Sequence, residues 1–309
     1  MSQTWTDEKI KLYKKRAVTA SVFVSSLLFL IKTFAVFVTG SLAILSSLVD
    51  SLSDIVASLV SFFAVRISAK PMSCTHRYGY FKAEHLSALF QAAFVAGSGI
   101  FVFYGGIDRL LHPVLLQKTG VGITVMVLSL LATVCLVVFQ QYVAKHTKSI
   151  AIKADSGHYV VDFLSNGGII LSLVIVRIFD AYWFDTLTAF CIALYLIVYA
   201  YKIVREAVDF LMDKELSETI RNKISEIALQ TKGVQGVHDL RTRDLGGVYY
   251  FELHVEMDGK LLLSQAHDIC EDVEKNIKQV YPKAQILIHQ DPYGIKENRL
   301  DDLLQNCLL

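Results

Sequence analysis

Six apolar stretches, each close to 20 residues long, run through the chain at about residues 17–38, 41–65, 86–108, 120–143, 150–176 and 182–204. A stretch of that length covers the ~30 Å hydrocarbon layer of a bilayer as a helix. Lipid offers no water to unpaired backbone groups, so a spanning segment must be helical or part of a closed barrel. The pattern predicts a multi-pass membrane protein with six transmembrane helices. Composition agrees, since 53% of the 309 residues are hydrophobic and only 19% are charged. Six crossings return both termini to one side. Lys11, Lys14, Lys15 and Arg16 precede the first stretch, Arg66, Lys70, Arg77 and Lys82 follow the second, and Lys145, Lys148 and Lys153 surround the turn after the fourth. Positive charge favours the cytoplasmic side, so both termini are expected there. The opposite connections fit, with "VTGS" uncharged and the segment around Asp180 and Asp185 acidic. The N-terminal basic cluster leads into a helix-length run with no small-residue cleavage site, which predicts a first membrane helix and no removable signal peptide.

After about residue 209 the texture becomes that of a water-facing domain. "ELSETIRNKISEIALQ" has helical periodicity, "VYYFELHVEM" alternates as a strand does, "LLLSQAHDICEDVEKNIKQVY" is a second amphipathic helix, and "AQILIHQ" is a last strand. The order αββαβ predicts a small α+β domain with its helices on one face of a sheet. The expected division is 1–208 for the membrane domain, 209–293 for the α+β domain and 294–309 for a tail without pattern. A net charge of +1 gives no reason to expect nucleic acid as a partner. The five cysteines are scattered without CxxC spacing, so neither a disulfide framework nor a zinc ribbon is implied.

Polar residues inside the spans narrow the function. Asp50 and Asp54 lie four apart in "SLVDSLSDIVASLV", and His158 and Asp162 lie four apart in "HYVVDFLSNGG". Four residues is one helical turn, so each pair shares a face. Asp54 precedes the cytoplasmic end of the second span, and Asp162 follows the cytoplasmic start of the fifth, by similar depths of ~18 Å. Antiparallel helices would therefore bring the pairs together near the middle of the membrane. An aspartate there costs at least ~2.5 kcal/mol, which marks it as functional by default. Three carboxylates and one imidazole suit a tetrahedral first-row divalent ion. Empty and ionised, the cluster would carry three negative charges in a low dielectric, so it should hold protons that an arriving cation displaces. Interhelical adhesion alone does not need three acids. A membrane metallo-hydrolase would need a general base and a pocket, and no HExxH or GxSxG is present, so no enzyme is expected. Glycines at 97, 99, 105, 106, 167 and 168 permit close helix approach.

With "SLVDSLSDI", "HRYGYFKAEHL" and "HYVVDFLSNGG" in order on six spans, then "VHDLRTRDLGG" and "ILIHQDP", the chain resembles the cation diffusion facilitator family over about residues 14–293. Within it the resemblance is to the bacterial branch that exports ferrous iron and zinc. The resemblance implies a homodimer in the cell inner (plasma) membrane, exchange of a divalent metal for protons, and a ferredoxin-like (metallochaperone-like) cytoplasmic domain that senses metal. It implies Zn²⁺ as substrate and regulatory ligand, with Cd²⁺ and Fe²⁺ as further substrates, and no organic cofactor. It places the transport site on Asp50, Asp54, His158 and Asp162. It places a binuclear cytoplasmic site on His238, His254 and Asp291 in one half and His267, His289 and Asp291 in the other, with Asp291 bridging and Gln290 nearby. Lys82 and Asp213 resemble a charge interlock at the dimer's membrane face. In the loop "SCTHRYGYFKAE", His76 matches one ligand of a further site, but Tyr80 and Ser73 stand where a second histidine and an acid are expected. Cys74 is a possible substitute ligand; the loop site is expected to be absent or weak. A metal-binding scaffold of the same family, without transport, is the alternative reading.

Overall fold

The apolar stretches form six long helices, α1 (Asp7–Thr39), α2 (Leu42–Ser68), α3 (Lys82–Leu111), α4 (Gly120–Thr147), α5 (Ile150–Phe179) and α6 (Trp183–Leu211). The computed structural model describes residues 5–39, 42–111, 120–179, 183–295 and 299–304. Among these residues, α1, α2, α3, α4 and α6 each hold a run long and apolar enough to cross a membrane. Helix α5 is 30 residues long and carries His158 and Asp162. Gly40, Ser41 and Asp180 fall outside the described residues, as does the side chain of Asp185. The chain divides into two compact units, Met1–Val208 and Asp209–Leu309.

In the first unit, small residues let the helices approach closely. Ala88 and Ala92 of α3, Ile150 and Ala154 of α5, and Ile203 and Ala207 of α6 form one buried cluster. Ala17 and Val18 of α1, Val65 of α2, Val143 of α4 and Ala151 and Ile152 of α5 form another. Buried polar nodes stitch the same helices together, as a medium without a hydrophobic drive between helices favours. Glu84 of α3 accepts from Lys14 of α1 at 2.9 Å, from Ser68 of α2 at 2.8 Å and from Ser149, just ahead of α5.

The second unit holds α7 (Glu218–Leu229), β1 (Gly236–Asp244), β2 (Tyr249–Met257), α8 (Leu263–Val280), β3 (Gln285–Pro292) and α9 (Leu300–Leu304). The sheet order is β1-β2-β3, with β1 antiparallel and β3 parallel to β2. The parallel pair needs a crossover, and α8 supplies it. Successive strand residues face opposite sides. Phe251, Leu253 and Val255 of β2 are buried against Ala266, Cys270, Val273 and Ile277 of α8 and Ile224 and Ala228 of α7. His254 and Glu256 therefore point to the other face. Helix α9 lies in the tail, where the sequence shows no pattern, and packs beside β1 through Asp239. Burial pushes the Asp239 carboxyl up, but the N–H groups of Leu300 and Asp301 outweigh it and hold the group below the usual carboxylate range.

Candidate metal centres

The buried stripe of α2 runs through Ser51, Asp54, Ser58 and Ser61, at the helical spacing of three and four. On α5, Asp155, Ser156, His158 and Tyr159 are buried opposite it. Where the stripes meet, His158 Nε2 lies 2.9 Å from Asp54 Oδ1. Asp54, His158 and Asp162 each offer a ligand atom within 4.8 Å of the other two. His158 Nδ1 is buried without a hydrogen-bond partner among the described residues. Two carboxylates and an imidazole converging from two helices are a donor set for a divalent first-row ion. Asp50, one turn earlier on α2, is exposed and stands outside that trio.

Two charged neighbours were not singled out from the sequence. Lys32 of α1 donates from Nζ to the fully buried Ser51 Oγ at 2.6 Å, and its charge acts on both Asp50 and Asp162. The signal is present in "LLFLIKTFAVF", where one lysine interrupts an apolar run. Asp155, a turn before His158, is fully buried. Its Oδ2 accepts from Ser21 of α1 at 2.7 Å and Gln140 of α4 at 2.5 Å. Ser58 lies 2.8 Å from Ser21 and 2.7 Å from the Tyr159 hydroxyl, which extends the network to α2. These oxygens tie four helices together one turn from the trio.

The second centre is a row of histidines across the sheet. His238 pairs with His254, and His254 with His289, in adjacent strands. Their ring centroids are 5.0 Å and 4.6 Å apart. Asp291 faces all three, with Oδ2 2.8 Å from His254 Nδ1 and 3.6 Å from His238 Nε2, and Oδ1 3.3 Å from His289 Nε2. His238, His254 and Asp291 have ligand atoms within 4.8 Å of one another. Both carboxylate oxygens of Asp291 thus face imidazoles, the geometry a bridging ligand requires.

His267 and Gln290 do not join this row within one chain. His267 lies on α8, which packs against the opposite face of the sheet, and it faces Glu271 at 3.3 Å. Gln290 also points to the helical face, where it hydrogen-bonds Cys270 and offsets part of the upward push that burial gives that thiol. In the loop, His76 stacks on Tyr80 with centroids 4.4 Å apart and bonds Thr75 Oγ1 at 3.0 Å. Tyr80 and Ser73 hold each other at 2.9 Å, Cys74 is exposed, and no metal-ligating cluster among the described residues includes His76. Lys82 opens α3 in the first unit, while Asp213 lies in the second with Oδ2 3.5 Å from Arg243 Nη1.

The cation efflux transmembrane domain family matches residues 18–212, and the cytoplasmic domain of cation efflux proteins matches residues 216–293. The chain is similar to the cation-efflux pump FieF of Citrobacter koseri, with 41% identity over 285 residues, 91% of this chain and 93% of that protein. It is similar to FieF of Salmonella newport at 40% identity over 311 residues, 98% of this chain and all of the other. Among solved structures, the MamM CTD in its copper form aligns at 27% identity over 26% of this chain and 90% of its own, with a TM-score of 0.24.

Proposed function

The chain belongs to the cation efflux family, and on that premise we propose that it exports Zn²⁺, with Cd²⁺ and Fe²⁺ as further substrates, in exchange for protons through Asp50, Asp54, His158 and Asp162. The observation that carries the reading is the convergence of Asp54, His158 and Asp162 from α2 and α5. A divalent ion relieves the carboxylates' mutual repulsion, and it binds them deprotonated. Metal and protons therefore compete for the same oxygens, which couples uptake of one to release of the other. The Asp54–His158 contact is the one an arriving ion replaces. Asp50, exposed here, completes the four ligands when α2 and α5 shift relative to each other.

In this reading the protein is a homodimer in the cell inner membrane with both termini in the cytoplasm. Zinc at the histidine row acts as a regulatory ligand, and His267 contributes only from a second copy. Lys82 and Asp213 act by fixing geometry at the dimer's membrane face rather than by binding energy. The test is metal flux in proteoliposomes with an imposed pH gradient, comparing Zn²⁺, Cd²⁺, Fe²⁺ and Mn²⁺. Gradient-dependent zinc flux that collapses in Asp162→Ala, with the protein still folded, is expected. No gradient-dependent flux of any of the four would favour a metal-binding scaffold instead.

A further inference from the structure

Strand β1 meets β2 in two registers. Arg241 pairs with Glu252 and Thr242 with Phe251, yet His238 pairs with His254. Run back without interruption, the first register would set Asp239 opposite His254 and His238 opposite Val255, whose side chain is buried in the core. One extra residue restores His238 to the histidine face. That is the work of a β-bulge, which re-aims a side chain at the expense of ladder pairing. Its residue Asp239 has φ of 52°, a left-handed conformation that costs a non-glycine residue energy and persists only where the surroundings hold it.

The surroundings are the C-terminal segment. Asp239 Oδ2 accepts from the Leu300 N–H and Oδ1 from the Asp301 N–H, both at 3.0 Å, and the Asp239 N–H donates to Asp301 Oδ2 at 2.8 Å. Next to them, Arg299 Nη2 lies 2.5 Å from Glu256 Oε1, and that oxygen lies 3.0 Å from His238 Nδ1. His238, Asp239 and Glu256 are all buried, at 5%, 8% and 5% exposure, so the inner end of this contact chain is shielded from water while Arg299 is partly exposed.

We propose that residues Arg299–Leu304 form a strap that positions His238 for metal, so that docking of the strap and metal binding at His238, His254 and Asp291 reinforce each other. The proposal rests on reading that cluster as a metal site. A ligating imidazole is oriented by a carboxylate at its other ring nitrogen, and such outer partners matter to affinity. Glu256 stands beside Nδ1, Nε2 faces Asp291, and Arg299 holds Glu256 in place. The strap thus holds both the backbone that carries His238 and the carboxylate that lies 3.0 Å from its Nδ1, close enough to orient the ring once metal takes Nε2. Coupling between two binding events is reciprocal, so metal must tighten the strap by the factor with which the strap tightens metal.

The test uses the full chain in detergent, with Asp54→Ala and Asp162→Ala so that calorimetric zinc titration reads the cytoplasmic cluster. Arg299→Gln, and separately a chain ending at residue 295, should bind zinc about tenfold or more weakly. Arg299→Lys, which keeps the charge, should stay close to the parent. Hydrogen exchange at the Leu300 and Asp301 amides should slow on adding zinc, and His254→Ala should abolish that slowing while leaving the strap docked without zinc. Unchanged zinc affinity in both Arg299→Gln and the shortened chain, even with a lowered melting temperature, would overturn the strap and leave the metal site standing. Amide exchange indifferent to zinc would do the same. A zinc count that His254→Ala does not lower would overturn the metal site, and the strap with it.

Discussion

Lys32 holds a cation where the neighbouring sequence is apolar, and its ammonium is fixed on Ser51 rather than drawn out to an interface. Its charge acts on Asp50 and Asp162, so it opposes a divalent ion in the same cluster. Replacing Lys32 by Gln should therefore tighten zinc binding at the membrane site by about tenfold, as removal of one nearby like charge implies. Slower release should lower kcat together with KM, and calorimetry beside initial rates would check both. His158→Asp removes the nitrogen donor from the trio and substitutes a harder oxygen, so competition assays should show preference moving from Zn²⁺ towards Mn²⁺. Spacing alone names Asp50, Asp54, His158 and Asp162, because four residues return a side chain to the same face. It does not say which of two acids on a face lies inward, and the exposure of Asp50 depends on how α2 packs. Lys32 and Asp155 stand in the sequence as isolated charges, and the apolar residues on either side of each outweigh it over the width of a bilayer.

Helix α5 meets α6 closely at Gly157, where an added Cβ would lie 2.2 Å from Tyr199 Cε1. The Tyr199 hydroxyl donates to the Lys153 carbonyl at 2.8 Å, so the ring can move away only by giving up that bond. Gly157→Ala should destabilise by about 1–3 kcal/mol, the usual cost of overpacking, measurable as a lower melting temperature in detergent. The long helices and the alternation of β2 can be read from the sequence because hydrophobicity is what stabilises them. Helix α9 and the bulge at Asp239 cannot. They are held by hydrogen bonds between residues some 60 positions apart, which leave no periodic trace.

At the scale of the whole chain, one unit carries an acid–imidazole trio among membrane helices and the other a histidine row on a sheet. If the second regulates the first, His238→Ala with His289→Ala should lower the number of zinc ions bound per chain while flux persists at saturating metal. Proteoliposome flux beside elemental analysis would check this, and complete loss of flux would mean that the row does more than regulate. The lateral alignment of that row has a consequence for how the gene can change. His238, His254 and His289 are neighbours only because three strands stop at matching rungs. Moving a strand by one rung turns all its side chains over. Loss or gain of one codon in the short connection Leu245–Val248 therefore threatens the row as surely as losing a histidine, beyond the constraint that Gly246 and Gly247 at positive φ already place on its composition. The cluster is protected by the counting of residues as much as by their identity, and lineages that keep the site should keep the length of that connection.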